Sequence, residues 1–242
     1  MNESVSQQVW VVIPAAGIGK RMQTETPKQY LKINNKTIIE HTLECFSQNP
    51  AVNGIIVALS SEDEYWNHLR NNSSDKPLYT VDGGNERSDS VMSALEYLLV
   101  VENASEDSWV MVHDAARPCL SKKDIDALLA LRDDDCVGGI LATPVRDTMK
   151  RTSPDTLQIS KTEDRENLWH ALTPQMFRLG KLNEALKYCF EKNIEISDEA
   201  SAIEITGESP LIVEGSGNNV KVTHPEDLDL VNYLLSRGVT AS

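Results

Sequence analysis

The chain is poor in cysteine, in basic charge and in long apolar runs, and each shortage removes a class of function. Its four cysteines, Cys45, Cys119, Cys136 and Cys189, stand apart with no C-x-x-C pairing. Neither a zinc site nor a disulfide framework is indicated, and each thiol reads as a small core or edge residue. No apolar run approaches the ~18 residues of a membrane-spanning helix. The polar stretch from Met1 to Gln8 lacks the basic start and apolar middle of a signal peptide, so a cytosolic (cytoplasmic) protein is expected. Lys and Arg number 23 against 37 Asp and Glu, and the net charge of -14 argues against nucleic acid or an anionic membrane as partner.

Catalytic motifs are missing too. There is no G-x-S-x-G nucleophile elbow, and no partnered carboxylates on which glycosidase-type acid and base catalysis could stand. The Walker pattern fails because Gly17-Ile18-Gly19-Lys20 has the wrong glycine spacing and runs into Arg21. The dinucleotide fingerprint matches at Gly17 and Gly19, but its third position is Met22, and no acid closes the second strand at Leu59-Ser60-Ser61.

What is present is an alternation of apolar strands and amphipathic helices. It predicts an α/β fold: a Rossmann-like, open, mostly parallel sheet with helices on both faces. Hydrophobic content of 40% and charged content of 25% are those of a globular protein, and 242 residues suit a single domain over 1–242 with one excursion. Strands are expected at 9–13, 54–59, 78–81, 109–112 and 138–142. Helices are expected at 38–47, 62–69, 88–101 and 121–131, and from a Thr223/Glu226 capping box to Ser236. The segment from Pro144 to Arg165 alternates in polarity around a turn signal at Ser153-Pro154-Asp155, which reads as a protruding β-hairpin arm at about 145–166. A two-stranded ribbon is marginal alone. It therefore rests either on its own domain or on a second copy of the chain.

The first strand empties into Pro14-Ala15-Ala16-Gly17-Ile18-Gly19-Lys20-Arg21-Met22, followed by Pro27-Lys28-Gln29. Small residues let backbone N–H groups approach a ligand. Four cations and one acid between Pro14 and Lys32 give a local charge of +3 in an acidic protein, so the ligand is expected to be an anion, with a polyphosphate the natural candidate. Arg21 and Lys28 suit a triphosphate and the charge that builds up during transfer at phosphorus. Gly83-Gly84 with Ser90 makes a second close-approach loop, fit to hold a base or simply a tight turn into a helix. His113 reads as a core histidine. Asp114 beside it could bridge Mg²⁺ to phosphates, cap a helix or contact a ribose.

Together with His113-Asp114-Ala115-Ala116-Arg117-Pro118, Pro144-Val145-x-Asp147-Thr148, Leu168-Trp169-x-x-x-Thr173-Pro174-Gln175, Asp198-Glu199-Ala200 and Asn219-Val220-Lys221-Val222-Thr223, these loops resemble the 2-C-methyl-D-erythritol 4-phosphate cytidylyltransferase family. The resemblance runs nearly end to end. It implies transfer of a cytidylyl group from CTP to methylerythritol phosphate, with release of pyrophosphate, in non-mevalonate isoprenoid precursor synthesis. It further implies that Pro14, Ala15, Ala16, Gly17, Gly19 and Ala115 lie at the nucleotide, with Gly84 and Ser90 at cytosine. Asp114 would sit by the ribose and Mg²⁺ or another divalent cation. Arg21, Lys28, Arg165 and Lys221 would be catalytic. Thr148, Arg165 and Lys221 would hold the methylerythritol phosphate, with the arm reaching the partner's site in a homodimer. Asn85 departs from the Asp that members often carry there. The opening loop by itself does not separate this activity from transfer to a sugar or polyol phosphate.

Overall fold

A computed structural model describes residues 8–17, 22, 26–69 and 76–241. Its centre is β1 (Val9–Pro14), flanked by β4 (Val52–Leu59) and β6 (Trp109–Val112), both parallel to it. With β5 (Leu78–Asp82), β7 (Gly138–Pro144), β10 (Trp169–Arg178) and β11 (Leu211–Glu214) they form one seven-stranded sheet in the order β11-β7-β10-β6-β1-β4-β5. Only β10 runs against its neighbours.

The two faces of β1 explain its unbroken apolar run. Val9, Val11 and Ile13 pack with α1 (Ile38–Ser47) and α3 (Lys122–Leu129). Trp10 and Val12 pack on the other face with α2 (Arg87–Val100), α4 (Leu179–Glu191) and α5 (Glu199–Ile205). A strand covered on both sides has no polar face to show. A third cluster joins Met22, Ile33, Ile38, Ala116, Cys119 and Val222 to Val231 and Leu234 of α6 (Asp227–Ser236). This cluster draws the chain after the first loop and the chain before the last helix together beside the segment that follows β6. All four cysteines are free, Cys119 and Cys189 being fully buried. Among the described residues no helix is long and apolar enough to cross a membrane.

Local chemistry sets the element ends. Thr37 and Glu40 form a reciprocal capping box at α1, with the Thr37 N–H donating to Glu40 Oε2 at 2.7 Å. Ser121 Oγ accepts the Asp124 N–H at 3.1 Å and starts α3, which stops at Leu129 and runs on as a tighter turn to Asp133.

Two expected elements differ. The helix expected at 62–69 is a single short turn, Trp66–His68. There Asp63 Oδ1 accepts the N–H groups of Tyr65 and Trp66, a local alternative to helical bonding that Asp offers readily. The last helix begins at Asp227, not in a Thr223/Glu226 box. It is the Asp227 carboxylate that takes the N–H groups of Thr223 and His224, both at 2.8 Å.

A hairpin between β2 (Lys32–Ile33) and β3 (Lys36–Thr37) turns on Asn34 and Asn35, both at positive φ, the conformation that Asn tolerates best after Gly. The arm is a separate antiparallel pair, β8 (Lys150–Thr152) and β9 (Ile159–Thr162), with Lys150 opposite Thr162. Every residue of both strands is exposed, and Leu157 at the tip is 94% accessible.

Candidate active site

The site lies beyond the carboxyl ends of β1, β5 and β6, where open parallel sheets place their ligand crevices. Pro14, Ala15, Ala16, Gly17, Lys28, Gly84, Ser90, Asp114, Ala115 and Lys221 all line one cavity of about 510 Å³. Gly19 and Arg21 fall outside the described residues. Thr148 and Arg165 sit on exposed parts of the arm and do not line the cavity of their own chain. Arg165 instead donates to the Arg146 carbonyl.

The first loop leaves β1 with the Ala15 N–H on the Ala58 carbonyl at 2.8 Å. Gln29, buried, closes the loop from the other side by donating its amide to the Ala15 carbonyl at 2.8 Å. This sets the Lys28–Tyr30 turn beside the backbone of Ala15 to Gly17. The second loop stands against the first: a Cβ on Gly83 would come within 2.6 Å of Ala16 Cβ and 2.7 Å of Ser90 Oγ. The Gly83 N–H donates to the Leu59 carbonyl at 2.6 Å, and the Gly84 N–H to Ser90 Oγ at 3.1 Å. Glycine is required by this close approach, not by an unusual dihedral.

Asp114 is the electrostatic hub. Its Oδ1 accepts Arg87 Nε at 3.1 Å, and its Oδ2 accepts Arg117 Nε at 3.1 Å and Lys221 Nζ at 2.9 Å. Burial alone would raise the Asp114 carboxyl; the charges of Arg87, Lys221 and Arg117 outweigh it and hold the group well below the usual carboxylate range. The segment carrying Lys221 is stitched to the end of β6. Arg117 Nη1 donates to the Asn219 carbonyl at 2.7 Å, the Val222 N–H to the Ala116 carbonyl at 2.8 Å, and Lys28 Nζ to the Val222 carbonyl at 3.0 Å.

Beneath the hub, His113 is fully buried. Its Nε2 lies 3.0 Å from the Arg117 carbonyl, which can only accept, so Nε2 carries the proton and Nδ1 accepts from the Thr173 hydroxyl at 3.0 Å. The same hydroxyl oxygen accepts the Asp114 N–H at 3.1 Å. Burial pushes the imidazole down to about 4. His113 thus orients the hub as a neutral ring and lies outside the cavity lining.

A family model described as 2-C-methyl-D-erythritol 4-phosphate cytidylyltransferase (IspD) matches residues 9–237. The chain belongs to that family. A protein of Pseudomonas entomophila (strain L48) bearing the same name is 50% identical over 220 residues, covering 91% of this chain and 92% of that one. One from Alteromonas mediterranea, again of that name, is 49% identical over 237 residues, 98% of this chain and 96% of the other. The solved Francisella tularensis cytidylyltransferase superposes with a TM-score of 0.80 at 39% identity, over 94% of this chain and 99% of its own.

The resemblance implies Mg²⁺ or another divalent cation. Three of the roughly four lone-pair directions of Asp114 are already used by cations. Among the described residues no group of three His, Cys, Asp or Glu could hold a metal. Among the described residues the carboxylates lining the cavity are Asp114 and Glu86, so a divalent ion there would take most of its shell from phosphate oxygens and water, the usual habit of Mg²⁺ at nucleotides.

Arg87, Arg117, Gln29, Thr173 and Glu199 belong to the site's framework but carried no role in the sequence reading. Gln29, Arg117, Thr173 and Glu199 lie within motifs quoted there, and Arg87 lies between Gly84 and Ser90. What was missing is their pairing across the chain, such as Arg87 on Glu199, 112 residues apart.

Proposed function

We propose that the chain transfers the cytidylyl group of CTP to 2-C-methyl-D-erythritol 4-phosphate, giving 4-diphosphocytidyl-2-C-methyl-D-erythritol and pyrophosphate, and that the cavity at the ends of β1, β5 and β6 is where this occurs. One observation carries the reading of the site. The two small-residue loops, Lys28 and the Lys221–Asp114 ion pair all line one cavity.

The acceptor phosphate is itself an anionic nucleophile, so no covalent enzyme intermediate is needed. An acceptor oxygen attacks the α-phosphorus, the bond from that phosphorus to the bridging oxygen breaks, and pyrophosphate leaves in line. The chain's task is positioning and charge neutralisation. Backbone N–H groups of Ala16, Gly17 and Gly19 wrap the phosphates beside Ala15, whose own N–H stays on the Ala58 carbonyl. Lys28, with Arg21, meets charge building at the α-phosphorus. Gly84 and Ser90 hold the base, Asp114 the ribose, and Lys221 the incoming phosphate. Mg²⁺ held beside Asp114 would screen the charge of the triphosphate and of the departing pyrophosphate.

The arm completes the site from a second copy. Among the described residues its strands pair only with each other and do not join the seven-stranded sheet, and the arm exposes Leu157 and Ile159, which favours burial against another chain. In such a homodimer Thr148 and Arg165 reach the partner's methylerythritol phosphate. We place the protein in the cytoplasm, where CTP is at hand. Phosphorus NMR of a reaction with CTP and methylerythritol phosphate tests the chemistry: a new diphosphate diester beside free pyrophosphate is expected, and recovery of unchanged CTP would refute it.

A further inference from the structure

The Thr173-Pro174-Gln175 and Asp198-Glu199-Ala200 motifs have no part in the mechanism above, yet the structure joins them. Gln175, on β10 and 1% exposed, donates to Asp198 Oδ2 at 2.9 Å and accepts the Ala200 N–H at 2.9 Å. Both bonds fix the start of α5. Glu199 is thereby turned inward with its side chain 2% exposed, and its two oxygens take Arg87 Nη1 at 2.6 Å and Nη2 at 3.0 Å. The guanidinium that lines the cavity is thus gripped from behind by a carboxylate that does not reach the cavity.

We propose that Glu199 is a positioning residue: by occupying both terminal nitrogens of Arg87 it restricts that side chain to a single bond on Asp114, and so reserves Asp114 for Lys221. This rests on the reading of the site given above and deepens it. A guanidinium prefers to meet a carboxylate with its two-pronged fork. Arg87 presents only Nε to Asp114 Oδ1 because its fork is already engaged. Oδ2 is left to Lys221 and Arg117. With the fork released, Arg87 can turn both prongs on Asp114 and compete with Lys221, which then loses the contact that aims it at the incoming phosphate.

The test uses Glu199→Gln and the pair Arg87→Met/Glu199→Met. The pair removes both buried charges together, and such replacements are often neutral or stabilising. In folded Glu199→Gln kcat is expected to fall at least ~10-fold and KM for the acceptor to rise, with KM for CTP changed less than about threefold, because the displaced group is Lys221; in the folded pair, where no guanidinium is left to compete for Asp114, the loss is expected to be smaller. A purely structural role would leave kcat of folded Glu199→Gln at the wild-type value. That result, or a loss in the pair as large as in Glu199→Gln, would overturn the proposal. So would failure of both variants to fold. A structure of Glu199→Gln reads the same point without turnover. Arg87 forked onto Asp114 with Lys221 displaced is expected, and Lys221 still on Asp114 would count against it. Wild-type protein inactive on CTP and methylerythritol phosphate would instead indict the proposed reaction, leaving the structural readout to judge Glu199.

Discussion

Lys221 Nζ donates to Asp114 Oδ2 at 2.9 Å, joining the segment ahead of α6 to the end of β6 across the mouth of the cavity. One carboxylate therefore orders three cations from three parts of the chain. Asp114→Asn leaves Arg87, Arg117 and Lys221 without it. Turnover is expected to fall at least ~10²-fold. Stability should drop by about 3 kcal/mol, as happens when one member of a buried charge network is removed. Steady-state kinetics and urea unfolding of the variant measure the two effects separately.

Gly83→Ala places a methyl group 2.6 Å from Ala16 Cβ and 2.7 Å from Ser90 Oγ, so the two loops must part. A stability loss of about 1 to 3 kcal/mol is expected from overpacking. KM for CTP should rise with it, because the loops proposed to hold phosphate and base are pushed apart. A variant with unchanged KM for CTP would show that their approach does not shape the nucleotide site.

His113 gives the protein an acid-sensitive link. The unfolded imidazole takes a proton below about 6.5, whereas the buried ring does so only below about 4. Its stabilising contribution is therefore complete above 6.5 and is lost as pH falls from there towards 4, on the order of 3 kcal/mol in all. Ring titration by NMR should show one histidine still neutral at pH 5, and urea midpoints should fall across the same interval. A ring that titrates near 6.5 would contradict this.

The arm can be tested by complementation. Lys28→Ala is expected to cost at least ~10²-fold in turnover, as for loss of one transition-state donor. Arg165→Ala disables the arm's contribution. If the arm serves the partner's site, mixing the two inactive chains restores activity, because one site of each mixed dimer draws neither defect. Mixed dimers that form and stay inactive would confine Arg165 to its own chain.

The parts of the fold legible in the sequence were those with a local cause. β1 shows as a solid apolar run because both its faces are buried, and α1 shows through its amphipathic spacing and Thr37 cap. The arm shows through alternation around Ser153-Pro154. The helix expected at 62–69 failed because Asp63 binds the backbone ahead of it, a competition that periodicity does not register. The antiparallel insertion of β10 has no local signature; its pairing with β7 is interrupted between Ala171 and Gln175, and its place between β6 and β7 is a long-range matter. In the site, small residues at strand ends and nearby cations marked the loops. The Glu199 to Arg87 to Asp114 chain was not legible, since ion pairs between distant motifs leave no local pattern.

Pyrophosphate release with CTP, measured side by side with methylerythritol phosphate and with sugar and polyol phosphates, tests the proposed activity most directly. Rapid release with methylerythritol phosphate and little with the others is the expected result. No release with methylerythritol phosphate, or equal release with every acceptor, would contradict it.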